Sequence, residues 1–188
     1  MAKVNRCGQS AVLSSAELDL LFDAMNPKCR AVLSVCRYTA ARISEALALK
    51  WINVTPNFVV LEKRKTKTNR TRQIPLHPHL KQELDTWRAA QRTSPTRTDW
   101  IFPREDGLSI KPMPARTIDY ALRTACKRTG LHGVSTHSFR RSALTSASNK
   151  GLPLRHLQTL SGHSSLDGLS AYLQVTDGQK RAVAMAFA

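Results

Sequence analysis

The sequence is poor in acidic residues and has no long apolar run. Its 188 residues contain 13 Asp and Glu against 29 Lys and Arg, which leaves a formal net charge of +16. No stretch approaches the roughly 18 consecutive apolar residues of a membrane helix. The N-terminus also lacks the apolar segment of a secretory signal, so we expect a cytoplasmic protein that is not bound to a membrane. The surplus of positive charge favours a polyanionic partner, of which nucleic acid is the first candidate and an acidic protein the alternative.

Cysteine and histidine are too scattered to predict a disulfide framework or a metal centre. None of the four cysteines belongs to a CxxC pair; they are Cys7, Cys29, Cys36 and Cys126. For a cytoplasmic protein this pattern indicates free, buried thiols. His77 and His79 lie two residues apart, but no second pair of ligands accompanies them. We therefore expect no zinc site.

The spacing of apolar residues predicts a mostly helical chain. Ser14 and Glu17 have the spacing of a capping box, which opens the first helix. Pro27 precedes a second helix, and Gly130 is a natural helix end. The remaining predicted helices are 42–49, one from Pro78 that buries Leu80, Leu84 and Trp87, 118–129, 137–150, one from Pro153 with Leu154, Leu157 and Leu160 inward, and one capped by Ser164 or Ser165 that carries Tyr172.

Short β-branched stretches predict a small antiparallel sheet within the helical chain. Residues 58–61 and 73–76 form its two strands, and Trp100–Phe102 is a candidate for another short strand. The first two strands are joined by a strongly basic hairpin, residues 63–72. The predicted fold class is therefore α+β, mostly helical, in one domain over 1–188. Its core runs from about 13 to 174, and a short C-terminal tail follows over 175–188.

Several residues suit the cleavage of a phosphodiester, although each is a weak signal alone. Cleavage needs positive charge for the phosphate, a nucleophile and a general acid. Arg42 and Glu45 are one helical turn apart, which is also the spacing of an ordinary surface ion pair. His137 and Arg140 share a helix face, so both could point at one phosphate. Tyr172 follows His163 by nine residues, and a lone tyrosine usually serves only packing.

In combination and in order, these residues resemble the tyrosine recombinase family, also called the phage integrase family. Residues 39–51 match its first box, T-G-x-R-x-x-E-x-L-x-L-x-W. Residues 137–141 match H-x-L-R-R/H, and 160–164 match the L-G-H-S box. Tyr172 stands where the family has its tyrosine. The resemblance runs from about Leu13 to Gln174.

The resemblance implies a role for each matching residue. Tyr172 would be the nucleophile that forms a 3′-phosphotyrosine, while Arg42 and Arg140 clamp the phosphate. His137 would assist proton transfer at the tyrosine, and His163 would hydrogen-bond the phosphate. The remaining roles are Lys67 as the general acid for the 5′-oxygen, Glu45 as a support for the cluster, and Lys63, Arg64, Lys65, Arg70, Arg72 and Arg141 as DNA contacts. No metal or other cofactor is implied.

The same resemblance implies a site-specific DNA recombinase that forms a tetramer on paired double-stranded DNA sites. Such a protein is cytoplasmic and associated with the nucleoid, and it is encoded by a prokaryote, a phage or a mobile element. Two alternatives are a type IB topoisomerase-like enzyme and a DNA-binding regulator without enzymatic activity. Strand exchange between duplexes distinguishes the first alternative, and a covalent DNA adduct distinguishes the second.

The sequence departs from the family pattern at a few places. Ala40 stands where glycine is usual and Phe139 where leucine is commoner, and we expect both to be tolerated packing changes. From its resemblance to the family we expect the usual N-terminal core-binding domain to be absent, in either a truncated form or a naturally short member. Residues 179–188 are apolar enough to dock on a neighbouring subunit.

Overall fold

The computed structural model describes residues 9–62, 71–91, 99–104, 111–175 and 177–187. Helices dominate these ranges: α1 (Ser15–Asp23), α2 (Pro27–Thr39), α3 (Ile43–Leu47), α4 (Pro78–Gln91), α5 (Ala115–Thr129), α6 (Thr136–Asn149), α7 (Leu154–Ser161), α8 (Leu166–Ser170) and α9 (Asp177–Met185). Strands β1 (Phe58–Leu61) and β2 (Arg72–Pro75) form an antiparallel pair. The predicted α+β class with a small sheet is confirmed.

The helix ends follow the local chemistry of the sequence. The Ser14 backbone N–H donates to Glu17 Oε2 at 2.8 Å, and the Ser14 hydroxyl accepts from the Glu17 backbone, which confirms the capping box. Asn26 caps α2, in which Pro27 takes a first-turn position. Gly130 ends α5 with a φ of +71°, a left-handed conformation that glycine adopts without strain.

The sheet directs one arginine into the protein interior. Phe58 lies opposite Pro75 and Leu61 opposite Arg72. Side chains alternate between the two faces, so Arg72 lies on the buried face of β2 together with Ile74. Strand β2 begins one residue earlier than the sequence predicts. The tip of the basic hairpin, residues 63–70, lies outside the described residues and carries Lys63, Arg64, Lys65, Lys67 and Arg70.

Helix α2 is the centre of the main apolar core. It packs against α3, α4 and α6, and its Val32, Leu33 and Val35 are fully buried. On α6, Phe139 stacks on Phe22 with ring centroids 5.7 Å apart, so the core accommodates a phenylalanine at this position. A second, smaller cluster consists of Ala40, Leu144, Leu157 and Leu169, and the Tyr172 ring packs on it.

Four predicted details are wrong, each for a local reason. Helix α3 ends at Leu47 because Asn53 Oδ1 accepts from the Lys50 backbone and opens a new 3-10 turn over 51–53. The segment around Trp100 forms a single bridge with Lys50 in place of a strand. Leu154 is 42% exposed at the first position of α7. Helix α8 ends at Ser170, two residues before Tyr172.

Three further observations bear on the sequence predictions. Cys29 and Cys36 are buried, as predicted, and Cys36 is free; Cys126 is free but only partly buried, and Cys7 lies outside the described residues. Within the described ranges, no group of three His, Cys, Asp or Glu side chains could hold a metal ion. The helices of the same ranges are all too short or too polar to span a bilayer.

Candidate active site

Arg140 is the central charged group of a cluster that gathers at the ends of α2, α6 and α7. It lies one turn into α6 and is 1% exposed. Its Nη1 donates to the carbonyl of Ala40, and its Nη2 donates to the carbonyl of Ser161 at 2.9 Å. Burial, followed by repulsion from Arg42, lowers the pKa of Arg140 to about 10. Two backbone carbonyls therefore fix the orientation of a guanidinium that remains charged at neutral pH.

Glu45 neutralises the arginines around Arg140. This carboxylate is 7% exposed, and its Oε1 lies 2.9 Å from Arg72 Nη2 and 3.6 Å from Arg42 Nη1. Its Oε2 accepts from the Arg42 backbone N–H at 2.7 Å, which anchors the start of α3. We call Arg42, Glu45, Arg72 and Arg140 the arginine frame.

The structure corrects the role predicted for Arg72. The sequence predicts a DNA contact on the hairpin surface, but the side chain is 8% exposed and faces inward. It pairs with Glu45, and its Nη1 donates to the carbonyl of Leu160 at 2.9 Å. Burial lowers the pKa of Arg72, and Glu45 partly offsets that effect. Arg72 therefore ties the sheet to α3 and to the end of α7.

Gly162 allows this close approach between β2 and α7. It ends α7 with a φ of +71°, and a Cβ at this position would stand 2.9 Å from Arg72 Cδ. That distance is shorter than real contacts allow, so glycine is required both for the backbone conformation and for the space. The Gly162–His163 pair thus does more than end a helix.

His163 connects the arginine frame with Tyr172. Its Nε2 lies 3.1 Å from Arg140 Nη2, and its Nδ1 lies 2.7 Å from Ser161 Oγ. Burial, together with the positive charges of Arg140, Arg42 and Arg72, lowers the pKa of His163 to about 4. The imidazole is therefore neutral at pH 7.

Tyr172 lies in the turn that follows α8, and its ring faces the cluster. The ring centroid is 4.8 Å from that of His163, and the Arg140 guanidinium lies 5.4 Å from the ring. The Tyr172 carbonyl accepts from Thr145 Oγ1 at 3.1 Å and from Arg141 Nε at 3.3 Å. We call residues 171–175 the tyrosine turn.

Arg141, which the sequence predicts as a DNA contact, has hydrogen bonds within the protein. Besides the Tyr172 carbonyl, it donates to the carbonyl of Ser10, and the side chain is partly buried. Burial also lowers the pKa of Arg141. Since its described bonds join two backbone segments, Arg141 holds the tyrosine turn against the segment that precedes α1.

The structure thus brings together five of the seven residues that were predicted as catalytic or supporting. Arg42, Glu45, Arg140, His163 and Tyr172 are neighbours through the contacts given above. His137 lies at the exposed start of α6, one turn before Arg140. Lys67 and the other basic residues of the hairpin tip cannot be placed, because they lie outside the described residues.

Sequence reasoning missed several contributors to the site. The inward orientation of Arg72 could have been recognised, because it shares its strand face with the apolar Ile74. Ser161 and Thr145 gave no comparable signal, since a serine or threonine in a helix is common. The carbonyls of Ala40 and Ser161, which hold Arg140, belong to the backbone and carry no side-chain pattern.

Chemically, the cluster is a group of three arginines and one carboxylate beside a phenol. Arginine side chains stay charged and donate in a fork that fits the oxygens of a phosphate. A phosphate bound by Arg42 and Arg140 would lie next to the Tyr172 ring. The arrangement therefore suits nucleophilic attack by a tyrosine on an anionic phosphoryl group.

Comparisons with known proteins agree with this geometry. Residues 11–179 match the phage integrase family. The tyrosine recombinase XerC of Pediococcus pentosaceus is 29% identical, with 85% of this chain and 56% of the relative covered. The chain therefore spans about half the length of the curated relatives it matches.

Two solved structures share the fold. The XerA recombinase gives a TM-score of 0.81 at 22% identity and covers 96% of this chain and 66% of its own. The Tn1549 transposon integrase in complex with transposon right end DNA gives a TM-score of 0.74 at 18% identity, and the match covers 96% of this chain and 67% of the integrase chain. Because the family match extends over most of the described core and includes each residue of the cluster, this chain belongs to the phage integrase family.

Proposed function

We propose that this chain is the catalytic domain of a site-specific DNA recombinase, with its catalytic core over about 13–174. It cleaves and rejoins DNA strands through a 3′-phosphotyrosyl intermediate at Tyr172. The observation that carries the proposal is the position of the Tyr172 ring, which lies directly against His163 and the buried Arg140.

Each residue of the cluster has a step in the proposed reaction. Arg42 and Arg140 bind the non-bridging phosphate oxygens and stabilise the charge that grows as the phosphorus becomes five-coordinate. The Tyr172 oxygen attacks phosphorus, its proton leaves with the help of His137, and the 5′-oxygen departs with a proton from Lys67. His163 donates a hydrogen bond to the phosphate.

Glu45 and Arg72 have a supporting part in this reaction. Glu45 pairs with Arg42 and Arg72, and Arg72 donates to the Leu160 carbonyl, so their task is to hold Arg42 and the end of α7 in place. Religation reverses the attack. The phosphotyrosine conserves the energy of the broken bond, so ATP is not consumed.

Double-stranded DNA is the proposed substrate. The net charge of +16 supports a polyanionic partner, and the related Tn1549 integrase is solved with DNA. Assembly as a tetramer on paired sites would allow strand exchange between two duplexes. Such a reaction places the protein in the cytoplasm, at the DNA of the host or of a mobile element.

A nicked suicide substrate tests the proposal. When cleavage releases a short strand that diffuses away, the protein remains linked to DNA and migrates as a heavier band on a denaturing gel. We expect the adduct to map to Tyr172 by mass spectrometry. A protein that binds DNA without forming an adduct would be a regulator, and one that relaxes supercoils without strand exchange would be a topoisomerase.

The assignment of Lys67 as the general acid has its own test. Lys67→Ala should slow cleavage of ordinary DNA strongly and recover most of the rate on DNA with sulfur at the bridging 5′ position, because a thiolate leaves without a proton. Lys65→Ala is the matched control and should show a modest loss on both substrates. Rescue of Lys65→Ala alone would move the general acid to Lys65.

A further inference from the structure

Ser161 lies at the end of α7 with its hydroxyl against the ring of His163. The side chain is fully buried, and Oγ is 2.7 Å from His163 Nδ1 and 3.3 Å from the carbonyl oxygen of Gln158. Arg140 Nη2 lies 3.1 Å from the other ring nitrogen, Nε2, and 3.4 Å from Nδ1. The ring is thus held between a hydroxyl and a guanidinium.

The chemistry of these partners favours one arrangement of protons. A guanidinium nitrogen can only donate, so Arg140 Nη2 disfavours a proton on the nearer nitrogen, Nε2, but it contacts both ring nitrogens and does not select the tautomer without Ser161. In the neutral imidazole the proton then lies on Nδ1, which donates to Ser161 Oγ. The hydroxyl in turn donates to the Gln158 carbonyl, which has no proton to give. If the hydroxyl donated to Nδ1, the Nε2 proton would point at another donor.

We propose that Ser161 is a positioning residue that holds His163 in its Nδ1–H form, with Nε2 directed at the phosphate pocket. The proposal deepens the proposed function, because the pocket beside Arg140 is taken as the place of the scissile phosphate. A proton that the ring takes up from solvent must then bind at Nε2. Only that nitrogen could donate to a phosphate oxygen held by Arg140.

The environment of the ring agrees with this assignment. Burial and three nearby arginines lower the pKa of His163, so the neutral form prevails in the absence of an anion. The hydrogen bond from Gln158 Nε2 to the His163 carbonyl, at 3.2 Å, fixes the backbone of the same residue. The ring and its backbone are thus both tied to the last turn of α7.

Nitrogen-15 NMR of the DNA-free protein tests the proposal without any need for activity. The His163 signals are identified by their loss in His163→Gln. We expect Nδ1 to show the shift of a protonated nitrogen and Nε2 that of an unprotonated one at pH 7. In Ser161→Ala the Nδ1–H form should lose its preference, whereas Ser161→Thr, which keeps the hydroxyl, should retain it.

Ser34→Ala is the matched control for loss of a buried hydroxyl. Ser34 is also fully buried in a helix, and its Oγ has no hydrogen-bond partner among the described residues. We expect the His163 signals to stay unchanged in this variant. A protonated Nε2 in the unsubstituted protein, or an unaltered Nδ1–H signal in Ser161→Ala, would overturn the proposal.

The effect on DNA cleavage is a second readout. Loss of one hydrogen bond that orients the ring should reduce the rate of adduct formation about fivefold in Ser161→Ala, with recovery in Ser161→Thr. If the unsubstituted protein forms no adduct at all, the proposed function fails, while the NMR result still decides the role of Ser161. Equal rates in all three proteins would show that the hydroxyl does not act in the reaction.

Discussion

The arginine frame and the tyrosine turn form two sides of one site, and they are built differently. Apart from Arg42, whose side chain is 36% exposed, the frame is buried, and the Glu45 carboxylate and three backbone carbonyls hold its arginine side chains. The tyrosine turn packs on the smaller cluster, and the described hydrogen bonds of Tyr172 run through its backbone. Helix α9, which follows the turn, has no buried residue.

Because of this difference, the frame should contribute to both stability and catalysis, whereas the tyrosine should contribute to catalysis only. A site that stabilises a developing charge works best when its dipoles and charges are fixed before the reaction. The frame meets that condition because moving it would break the core. The nucleophile needs only to approach the phosphate, so its attachment can be weaker. Substitutions in the frame should therefore cost both stability and activity, and substitutions at the tyrosine only activity.

The largest expected effect is on chemistry alone. Tyr172→Phe should abolish the covalent DNA adduct, because the hydroxyl is the proposed nucleophile. Its unfolding free energy should change by less than about 0.5 kcal/mol, as for substitutions away from buried networks. Urea unfolding and the denaturing gel measure the two effects. An adduct that survives in this variant would remove Tyr172 from the mechanism.

A substitution at Glu45, in the frame, should also lower the unfolding free energy. Glu45→Gln leaves the buried Arg72 without its counterion, and breaking such a pair costs about 3 kcal/mol. The matched control is Asp19→Asn, since Asp19 pairs with Arg37 at 2.9 Å but is 64% exposed. The control should cost less than about 1 kcal/mol. Equal losses in the two variants would show that burial of the frame contributes nothing to stability.

The contact between Arg72 and Gly162 allows a sharper comparison. Gly162 and Gly130 have the same φ of +71°, but a Cβ would meet Arg72 at Gly162 and nothing within 4 Å at Gly130. Gly130→Ala should cost about 1 kcal/mol from backbone strain alone. Gly162→Ala should cost roughly 1–3 kcal/mol more, because Arg72 must leave its place. It should also slow adduct formation, which Gly130→Ala should leave unchanged.

The features that could be predicted from the sequence are those that depend on residues close together in the chain. The capping box, the two strands and the order of most helices follow from short-range chemistry and were predicted from it. The cluster of Arg42, Arg140, His163 and Tyr172 was predicted through the family resemblance and not from spacing. The inward orientation of Arg72 and the backbone contacts of Arg141 were not predicted, because a basic residue looks the same in sequence whether it faces solvent or a partner within the protein. Long-range pairs such as Glu45 with Arg72 depend on tertiary packing.

The unfolding free energy should depend on pH through His163, which lies between the arginine frame and the tyrosine turn. Its pKa falls from 6.5 to about 4 in the folded protein, so the unfolded chain binds the proton more readily. The stabilising contribution is full above pH 6.5 and is lost as the pH falls towards 4. His163→Gln should therefore show a smaller decrease in unfolding free energy between pH 7 and 5. His156→Gln, at an exposed position of α7, should keep the full decrease.

The smallest expected effect is at Ala40, the residue whose carbonyl accepts from Arg140. The sequence suggests that alanine in place of the family's glycine is a packing change, but the structure shows a change in backbone strain. Ala40 ends α2 with a φ of +50°, and it is the only non-glycine residue with positive φ among those described. A left-handed conformation costs an alanine about 1–2 kcal/mol. Glycine at this position would remove that strain.

Ala40→Gly should nevertheless change stability by less than about 0.5 kcal/mol. The buried methyl group contributes about 0.8 kcal/mol, and glycine adds about 0.4–1 kcal/mol of entropy to the unfolded chain. These losses nearly cancel the relief of strain. Ala41→Gly is the matched control, since Ala41 is 1% exposed and has no positive φ. It should lose about 1.5 kcal/mol, because the methyl and entropy terms remain and no strain is relieved. The two losses are measured by urea unfolding. Equal losses at the two positions would mean that the backbone of Ala40 is not strained and that the hydrogen bond from Arg140 to the Ala40 carbonyl requires no strain.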